Sequence, residues 1–212
     1  MMLDGYGRNI NYLRVSVTDR CNLRCRYCMP EEGISHLGHS SILSLEDIAR
    51  LIKISTDVGV NKIRLTGGEP LVRKNLSQLI DYIAAIPRID DIFADMATEF
   101  KKAGLQRINF SLDSLVDEKF KYITRRGDLQ QVRKAIFKAL ELEMHPIKIN
   151  VVVINGFNDN EILDFVELAY NYPFHIRFIE FMPIGDLFYW KKERMLSCDV
   201  IKSRVEQKYE LI

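Results

Sequence analysis

Short stretches in which apolar and polar residues alternate recur along the chain, separated by segments with a helical apolar repeat. Alternation of this kind predicts strands, and the 3.6-residue repeat predicts helices. The predicted strands are 12–19, 62–68, 107–114, 147–155 and 175–183. The predicted helices are 44–59, 75–86, 94–104, 115–143 with a break at 125–128, 158–172 and 197–212. This order of strands and helices predicts an α/β fold with a parallel sheet and helical crossovers.

Residues at the ends of two predicted helices support their boundaries. Ser44 precedes an apolar repeat with Glu46 and Asp47 in its first turn, so we expect it to be an N-cap, and Gly59 is a typical helix stop. Asp128 is the expected cap of the helix that restarts after the break.

The predicted strands have one apolar and one polar face. Ile63 and Leu65, for example, alternate with Arg64 and Thr66. Strands covered by helices on both sides would be almost continuously apolar. The pattern therefore favours an open βα barrel whose polar face lines a lumen, and an exposed sheet facing solvent is the alternative. A complete barrel typically needs ~250 residues, so we expect a partial one.

Composition and charge narrow the classes of function. The 212 residues are 47% hydrophobic and 28% charged with a net charge of +1, which is typical of a single domain, here 1–212. This charge balance predicts no binding to nucleic acid or membrane. No run has the length or composition of a transmembrane segment or a secretion signal, so we expect a cytoplasmic protein.

The sequence contains four cysteines, three of which form a CxxxCxxC motif at the end of the first predicted strand: Cys21, Cys25 and Cys28. Cys198 stands apart, and we interpret it as a half-buried helix residue. A structural zinc site needs four ligands. His36 and His39 are near the cysteines, but their HxxH spacing is only weak evidence that they complete such a site. An iron–sulfur cluster held by three thiolates leaves one iron open to a ligand that is not protein. We therefore favour the cluster.

The motif resembles the radical S-adenosylmethionine (SAM) superfamily, in which an aromatic residue, here Tyr27, precedes the last cysteine. A second superfamily feature, the GGEP segment, follows the second predicted strand as Gly67–Pro70. The resemblance implies a 4Fe–4S cluster whose open iron binds SAM and a 5′-deoxyadenosyl radical that abstracts hydrogen from the substrate.

A closer resemblance is to the GTP 3′,8-cyclase family, which converts GTP to (8S)-3′,8-cyclo-7,8-dihydroguanosine 5′-triphosphate in molybdenum cofactor biosynthesis. The segments that carry it are LRVSVTDRCNLRCRYCMP, KIRLTGGEPLVR, INFSLDSL, ITRRGDLQQV, IKINVVVINGFND and RFIEFMPIG. The similarity runs from about Arg8 to the last residue.

The resemblance implies roles for ten residues. The expected ligands of the cluster are Cys21, Cys25 and Cys28. The expected contacts to SAM are Tyr27, Gly68, Ser111 and Met182. The expected contacts to GTP are Arg14, Arg64 and Lys148. These three cations all fall on the polar strand face, where charged hydrogen bonds to a triphosphate are favourable.

Three further charged residues have weaker interpretations. Glu180 shares the strand parity of Met182, and we interpret it as part of a structural ion pair. Arg125 and Arg126 fall in the predicted helix break, and we interpret them as a solvated loop. The resemblance also implies a protein electron donor, and it leaves open whether the chain forms a homodimer.

The chain departs from the family in two places. We expect one family strand of ~5–6 residues, with its TTNG-like turn, to be missing between the second and third helices, with 89–93 as a vestige. The family's C-terminal domain, which binds a second cluster with three cysteines, is also absent from these 212 residues. We therefore expect SAM cleavage without efficient GTP cyclisation. The alternatives are another radical SAM enzyme acting on a phosphate-bearing substrate and a defective metal-binding paralogue.

Overall fold

The structure is a computed structural model that describes residues 2–38, 41–89, 91–95, 103–185 and 187–211. Strands and helices alternate along the chain. The strands are β1 (Tyr12–Ser16), β2 (Lys62–Thr66), β3 (Asp91–Asp95), β4 (Arg107–Ser111), β5 (Ile147–Val153) and β6 (Phe174–Glu180). The helices are α1 (Leu45–Ser55), α2 (Leu76–Ala84), α3 (Asp117–Thr124), α4 (Leu129–Glu141), α5 (Ile162–Asn171) and α6 (Cys198–Glu206).

Hydrogen bonds order the strands β1-β2-β3-β4-β5-β6, so neighbours in the sheet are also consecutive in sequence. The pairs β1–β2, β2–β3 and β5–β6 are parallel. Parallel neighbours need a crossover connection, and helices supply it between β1 and β2 and between β5 and β6. The predicted α/β class with a parallel sheet is therefore confirmed, and β1 and β6 stand at the two ends of an open strand order.

The expectation that one strand is missing is wrong, because β3 occupies its place. Lys62 of β2 is in register with Asp91 of β3, and Leu65 with Ala94. A gap at this position would leave the edges of two strands unpaired, which is costly, so the short segment is used as a strand. The helix predicted to start at Ala94 is consequently wrong in its first two residues, and 96–102 lie outside the described residues.

The chain divides into two compact units. The first comprises Met1–Asn22, Ser35–Ile108 and Lys138–His145. Its core contains the apolar faces of α1 and α2 and the inner residues of β2, and the fully buried side chains include Ile52, Ile63, Leu65, Leu79 and Ile80. The alternation of Ile63 and Leu65 with the half-buried Arg64 and Thr66 is therefore real strand parity.

The second unit comprises Leu23–Ile34, Asn109–Phe137 and Pro146–Ile212. Every second residue of β5 is buried, from Ile147 to Val153, while the residues between them are half-buried. On α5 the buried Phe165 packs edge to face against Phe178 of β6, with ring centroids 6.3 Å apart.

The predicted caps of two helices are confirmed. The Ser44 hydroxyl accepts a hydrogen bond from the backbone N–H of Asp47 at 3.0 Å, and α1 runs into a short 3₁₀ turn that ends at Gly59 with φ 101°. Asp128 accepts the backbone N–H of Gln130 at 2.9 Å, which caps α4 after the predicted break. None of the helices in the described part of the chain is both long and apolar enough to span a bilayer.

Candidate functional site

The carboxyl ends of β1 and β2 are joined beyond the strands by backbone hydrogen bonds. Gly68 N donates to Thr18 O at 2.9 Å, and Glu69 N donates to Arg20 O at 2.8 Å. Because Cys21 follows Arg20, the TGGEP segment lies directly against the chain that leads into the three-cysteine motif.

Both glycines of this segment are required by that close approach. A Cβ on Gly67 would overlap Thr18 O, and a Cβ on Gly68 would overlap Arg20 O. Gly67 also has φ 152°, which side chains other than glycine rarely adopt. Close backbone packing against the chain before the cysteine motif therefore requires glycine at both positions.

The three motif cysteines are divided between the units. Cys21 lies in the first unit and is half-buried, whereas Cys25 and Cys28 lie in the second, half-buried and exposed respectively. None of the cysteines forms a disulfide. Cys28 N and Met29 N both donate to Cys25 O, at 2.8 and 3.1 Å, so this part of the loop is a tight turn.

The side chains near the cysteine motif determine which metal group the chain could bind. Within the described residues, no three Cys, His, Asp or Glu side chains are already grouped as a metal site. The histidine proposed for zinc, His36, lies with Nδ1 3.5 Å from Asp19 Oδ2, and His39 is outside the described residues. Three free thiols within eight residues fit an iron–sulfur cluster better than they fit zinc.

The end of α3 holds the second half of the cysteine loop. Arg24 N donates to Thr124 O at 3.1 Å, and Arg26 N donates to Ile123 O at 2.9 Å. The carbonyls in the last turn of a helix have no partner within the helix, so they are free to accept these bonds. The loop therefore has a rigid support in the second unit.

The interpretation of Arg125 as a solvated loop residue is wrong, whereas Arg126 is exposed as expected. The Arg125 side chain is only 14% exposed, and its guanidinium donates to two carbonyls of the cysteine loop. Nothing in the sequence around the helix break distinguishes the two arginines, because the partners of Arg125 are about 100 residues earlier.

Tyr27, inside the cysteine motif, is anchored by its side chain. Its hydroxyl donates to Asp113 Oδ2 at 2.6 Å, and its ring packs against a buried cluster that includes Phe181, with centroids 6.3 Å apart. Gly185 lies close to the same turn, because a Cβ there would be 2.7 Å from Tyr27 O and 2.6 Å from Cys28 O. The predicted contact of Tyr27 with SAM stays a prediction.

Asp113 is a buried carboxylate, 4% exposed, that was not recognised as a site residue from the sequence. Besides Tyr27, it accepts the backbone N–H of Val152 at 2.9 Å, and its own carbonyl accepts the side-chain amide of Asn158. Burial raises the pKa of Asp113 to about 6, although the two hydrogen bonds to the carboxylate act in the opposite direction. Asp113 thus links the cysteine loop to the end of β4 and to β5.

The other predicted SAM-binding residues lie at strand ends. Ser111 is the exposed last residue of β4, and Met182, two residues beyond β6, is 47% exposed. Gly68 is described above. Their contact with a cofactor stays a prediction.

Two of the three predicted GTP-binding cations are neighbours in the first unit. Arg14 of β1 is in register with Arg64 of β2, so their side chains leave the same face of the sheet. Arg14 is exposed and Arg64 half-buried. Like charges on adjacent strands repel each other, and a bound anion would relieve that repulsion.

The third cation, Lys148, lies on β5 in the second unit, and a further arginine shares its face. Lys148 is in register with His175, and Asn150 with Arg177. Since residues two apart on a strand share a face, the exposed Arg177 lies on the side of Lys148. Arg177 was missed from the sequence. It could have been found there, because it lies between the apolar residues Ile176 and Phe178 of β6 and so belongs to the polar strand face.

Glu180 is the half-buried last residue of β6. It is in register with the buried Val153, so it belongs to the opposite strand face from Lys148. Its carboxylate accepts the backbone N–H of Cys198 at 2.6 Å, at the N-terminus of α6, where a negative charge is favourable. The expected ion pair is therefore a helix cap. Cys198 itself is exposed rather than half-buried.

The sequence and fold define a class of protein. The model of the Radical SAM superfamily matches residues 15–169, which is more than half of the chain. A crystal structure of methylornithine synthase has the same fold, with a TM-score of 0.69, 14% identity, and coverage of 92% of this chain and 61% of that chain. The chain belongs to the radical SAM superfamily. Membership implies a 4Fe–4S cluster and SAM as cofactors.

Curated relatives specify the family further. The chain is 67% identical to a GTP 3′,8-cyclase of Syntrophomonas wolfei over 99% of its own length and 67% of the relative. It is 52% identical to a GTP 3′,8-cyclase of Desulforamulus reducens over its whole length and 67% of the relative. Within the superfamily, the chain belongs to the GTP 3′,8-cyclase family, and it spans about two thirds of the length of these relatives.

The alignment with the second relative extends over 219 positions, more than the 212 residues of this chain. That relative therefore contains residues without a counterpart here.

Gly68→Ala should destabilise the first unit, because its Cβ would overlap the carbonyl of Arg20. We expect the free energy of unfolding, measured in urea on the metal-free chain, to fall by roughly 1–3 kcal/mol. Gly5→Ala is the control, since a Cβ there meets no atom within 4 Å. An unchanged midpoint for Gly68→Ala would contradict the described backbone packing.

Asp113→Asn should change how stability depends on pH. Because the folded pKa of Asp113, about 6, lies above the ordinary value of 3.8, the folded chain binds a proton that the unfolded chain has released between these values. The contribution of Asp113 to stability therefore falls as pH rises through this window, by roughly 3 kcal/mol. Relative to wild type, the variant should gain about that much between pH 4 and pH 7.

Urea unfolding of the metal-free chain across this pH range measures the difference. Ser203→Ala, at an exposed position on α6, changes no titratable group and should give a pH profile parallel to that of wild type. Parallel pH profiles for wild type and Asp113→Asn would show that Asp113 titrates normally.

Proposed function

We propose that this chain catalyses the radical cyclisation of GTP to (8S)-3′,8-cyclo-7,8-dihydroguanosine 5′-triphosphate, the first step of molybdenum cofactor biosynthesis, as part of a complete GTP 3′,8-cyclase. The observation that carries the proposal is the 67% identity over 99% of the chain to a relative with that name. The intact cysteine motif and TGGEP segment support it, as does the cationic strand face.

In this proposal three thiolates hold the 4Fe–4S cluster: Cys21, Cys25 and Cys28. The three-thiolate set leaves one coordination position for SAM. When bound, the reduced cluster and SAM supply the 5′-deoxyadenosyl radical that abstracts hydrogen from the substrate. The chain's own contribution is to hold the thiols in place through the end of α3 and through the bond between Tyr27 and Asp113.

Four residues at or near the carboxyl ends of the predicted barrel strands contact SAM in this proposal: Tyr27, Gly68, Ser111 and Met182. Parallel βα folds place ligands at this end of their strands, which supports the assignment. Because the side chain of Tyr27 already bonds Asp113, its contribution to SAM binding comes from the rest of the residue.

The triphosphate of GTP is bound by cations on the polar strand faces: Arg14, Arg64, Lys148 and, by its strand parity, Arg177. Arginine can donate two parallel hydrogen bonds to a phosphate, and such charged bonds are stronger than neutral ones. These contacts orient the ribose relative to the radical, which is the main task of the protein in such a reaction.

The proposed setting is the cytoplasm, where thiols stay reduced. We further propose that residues 1–212 form one partial barrel domain of the radical SAM type. A protein reductant is required, because SAM cleavage consumes an electron. Assembly as a homodimer stays a proposal.

Anaerobic reconstitution of the 212-residue chain should yield about four irons and four sulfides, and dithionite should then produce 5′-deoxyadenosine from SAM. Replacing the three motif cysteines by alanine should abolish both, whereas Cys198→Ala, outside the motif, should retain both. One bound zinc without sulfide would instead identify a metal-binding paralogue.

Product analysis with GTP separates the remaining alternatives. Because the chain spans about two thirds of its relatives, we expect SAM cleavage with little cyclised nucleotide from these 212 residues. Efficient cyclisation would contradict that expectation. Cleavage stimulated by another phosphate-bearing compound but not by GTP would favour a different radical SAM enzyme.

Arg14→Ala and Arg64→Ala should each weaken GTP binding roughly tenfold or more, because each removes charged hydrogen bonds to phosphate. Equilibrium dialysis of the reconstituted chain measures the dissociation constant. Lys134→Ala, which removes an exposed charge from α4, is the control and should change it less than twofold.

Guanosine, which lacks the triphosphate, tests the assignment to phosphate. Its binding should be similar in wild type and in both variants. Equal weakening for GTP and guanosine would place these arginines elsewhere in the site.

A further inference from the structure

Arg125 has an unusual backbone conformation at a position next to the cysteine loop. It follows the last residue of α3 and has φ 60° and ψ −33°. A positive φ is disfavoured for a residue with a side chain, so this conformation is strained. Glycine, which has no Cβ, tolerates a positive φ at lower cost, and the contacts of the arginine side chain offset part of this cost.

The guanidinium of Arg125 bridges two carbonyls of the cysteine loop. Its Nη1 donates to Arg24 O at 2.8 Å and to Met29 O at 3.0 Å. Arg24 directly precedes Cys25, and Met29 directly follows Cys28. One nitrogen therefore fixes the distance between the two ends of the segment that carries two of the three thiols.

The guanidinium of Arg125 is largely shielded from solvent. The side chain is 14% exposed, and its Nε lies 3.9 Å from Glu31 Oε2. Hydrogen bonds from a charged donor gain strength where little water competes. The mostly exposed Glu31 carboxylate adds only a weak attraction at that distance.

The backbone next to Arg125 holds the same loop independently. The carbonyls of Ile123 and Thr124 accept the N–H groups of Arg26 and Arg24. Arg26 also stacks its guanidinium over the ring of Tyr122 at 4.0 Å and donates to the carbonyl of that residue at 2.9 Å. The loop is thus attached to the end of α3 along one side, and Arg125 closes the other side.

We propose that Arg125 is a positioning residue that fixes the turn from Arg24 to Met29 and so holds Cys25 and Cys28 ready for the cluster before iron arrives. In this role Arg125 acts through the backbone of the turn, to which its guanidinium donates. The assignment of the cysteines as cluster ligands rests on the proposed function, whereas the effect on the loop is a property of the metal-free chain.

Arg125→Gly removes the guanidinium and also reduces the backbone strain at this position. Arg126→Ala is the matched control, since Arg126 is adjacent and exposed. Hydrogen exchange of the metal-free chain, followed by mass spectrometry, should show at least roughly tenfold faster exchange in peptides from 24–33 for Arg125→Gly. Arg126→Ala should match wild type, and Arg125→Lys, which keeps the charge, should be intermediate.

A second measurement follows the cluster itself. After anaerobic reconstitution, iron release to a chelator should be roughly tenfold faster or more from Arg125→Gly than from wild type or Arg126→Ala. Urea unfolding of the metal-free variants checks that the fold is intact. Arg125→Gly should be at least as stable as Arg125→Ala, because glycine tolerates the positive φ better than alanine does.

The outcomes separate this proposal from the proposed function. Wild-type exchange at 24–33 in Arg125→Gly would overturn the role of Arg125, whatever the cofactor. Equal iron release from the variants and wild type would overturn its role in holding the cluster. If wild type assembled no cluster while the exchange difference was present, the proposed function would fail, whereas the fixing of the turn by Arg125 would stand.

Discussion

The loop that carries the three cysteines has neither helix nor strand of its own, so its backbone groups have to find partners on neighbouring elements. Arg20, just before the loop, is bound to the TGGEP segment that ends β2. Further along, the loop is bound to the last carbonyls of α3 and to Arg125. The positions of the cysteines, and so the chemistry assigned to the motif, depend on these hydrogen bonds to neighbouring elements.

Local patterns in the sequence predicted most of the fold. The apolar alternation of Ile63 and Leu65 located β2, and Ser44 located the start of α1, because strand parity and helix capping depend on adjacent residues. β3 was missed because it is short and the residues that follow it have the apolar repeat of a helix. β3 forms because the neighbouring strands need a hydrogen-bonded partner. This requirement cannot be recognised from the sequence of one segment.

The residues of the candidate site that belong to a sequence motif were predictable. Those that are defined by tertiary contacts were not. Cysteine spacing indicated the cluster, and strand parity grouped Arg14 with Arg64. The ion pair expected for Glu180 was wrong, because its carboxylate caps a helix that begins 18 residues later in the sequence. Asp113 and Arg125 were not recognised, since their partners are distant in sequence and only folding brings them together.

A side chain at Gly67 or Gly68 would overlap the backbone of Thr18 or Arg20. The TGGEP turn and the chain that leads into the cysteine motif are therefore packed together as one structural unit. A chimaera that took the cysteine segment from a remote member of the superfamily and kept the TGGEP turn of this chain would have to match two surfaces that were never selected to fit. Engineering of this fold should transplant both motifs as a single module.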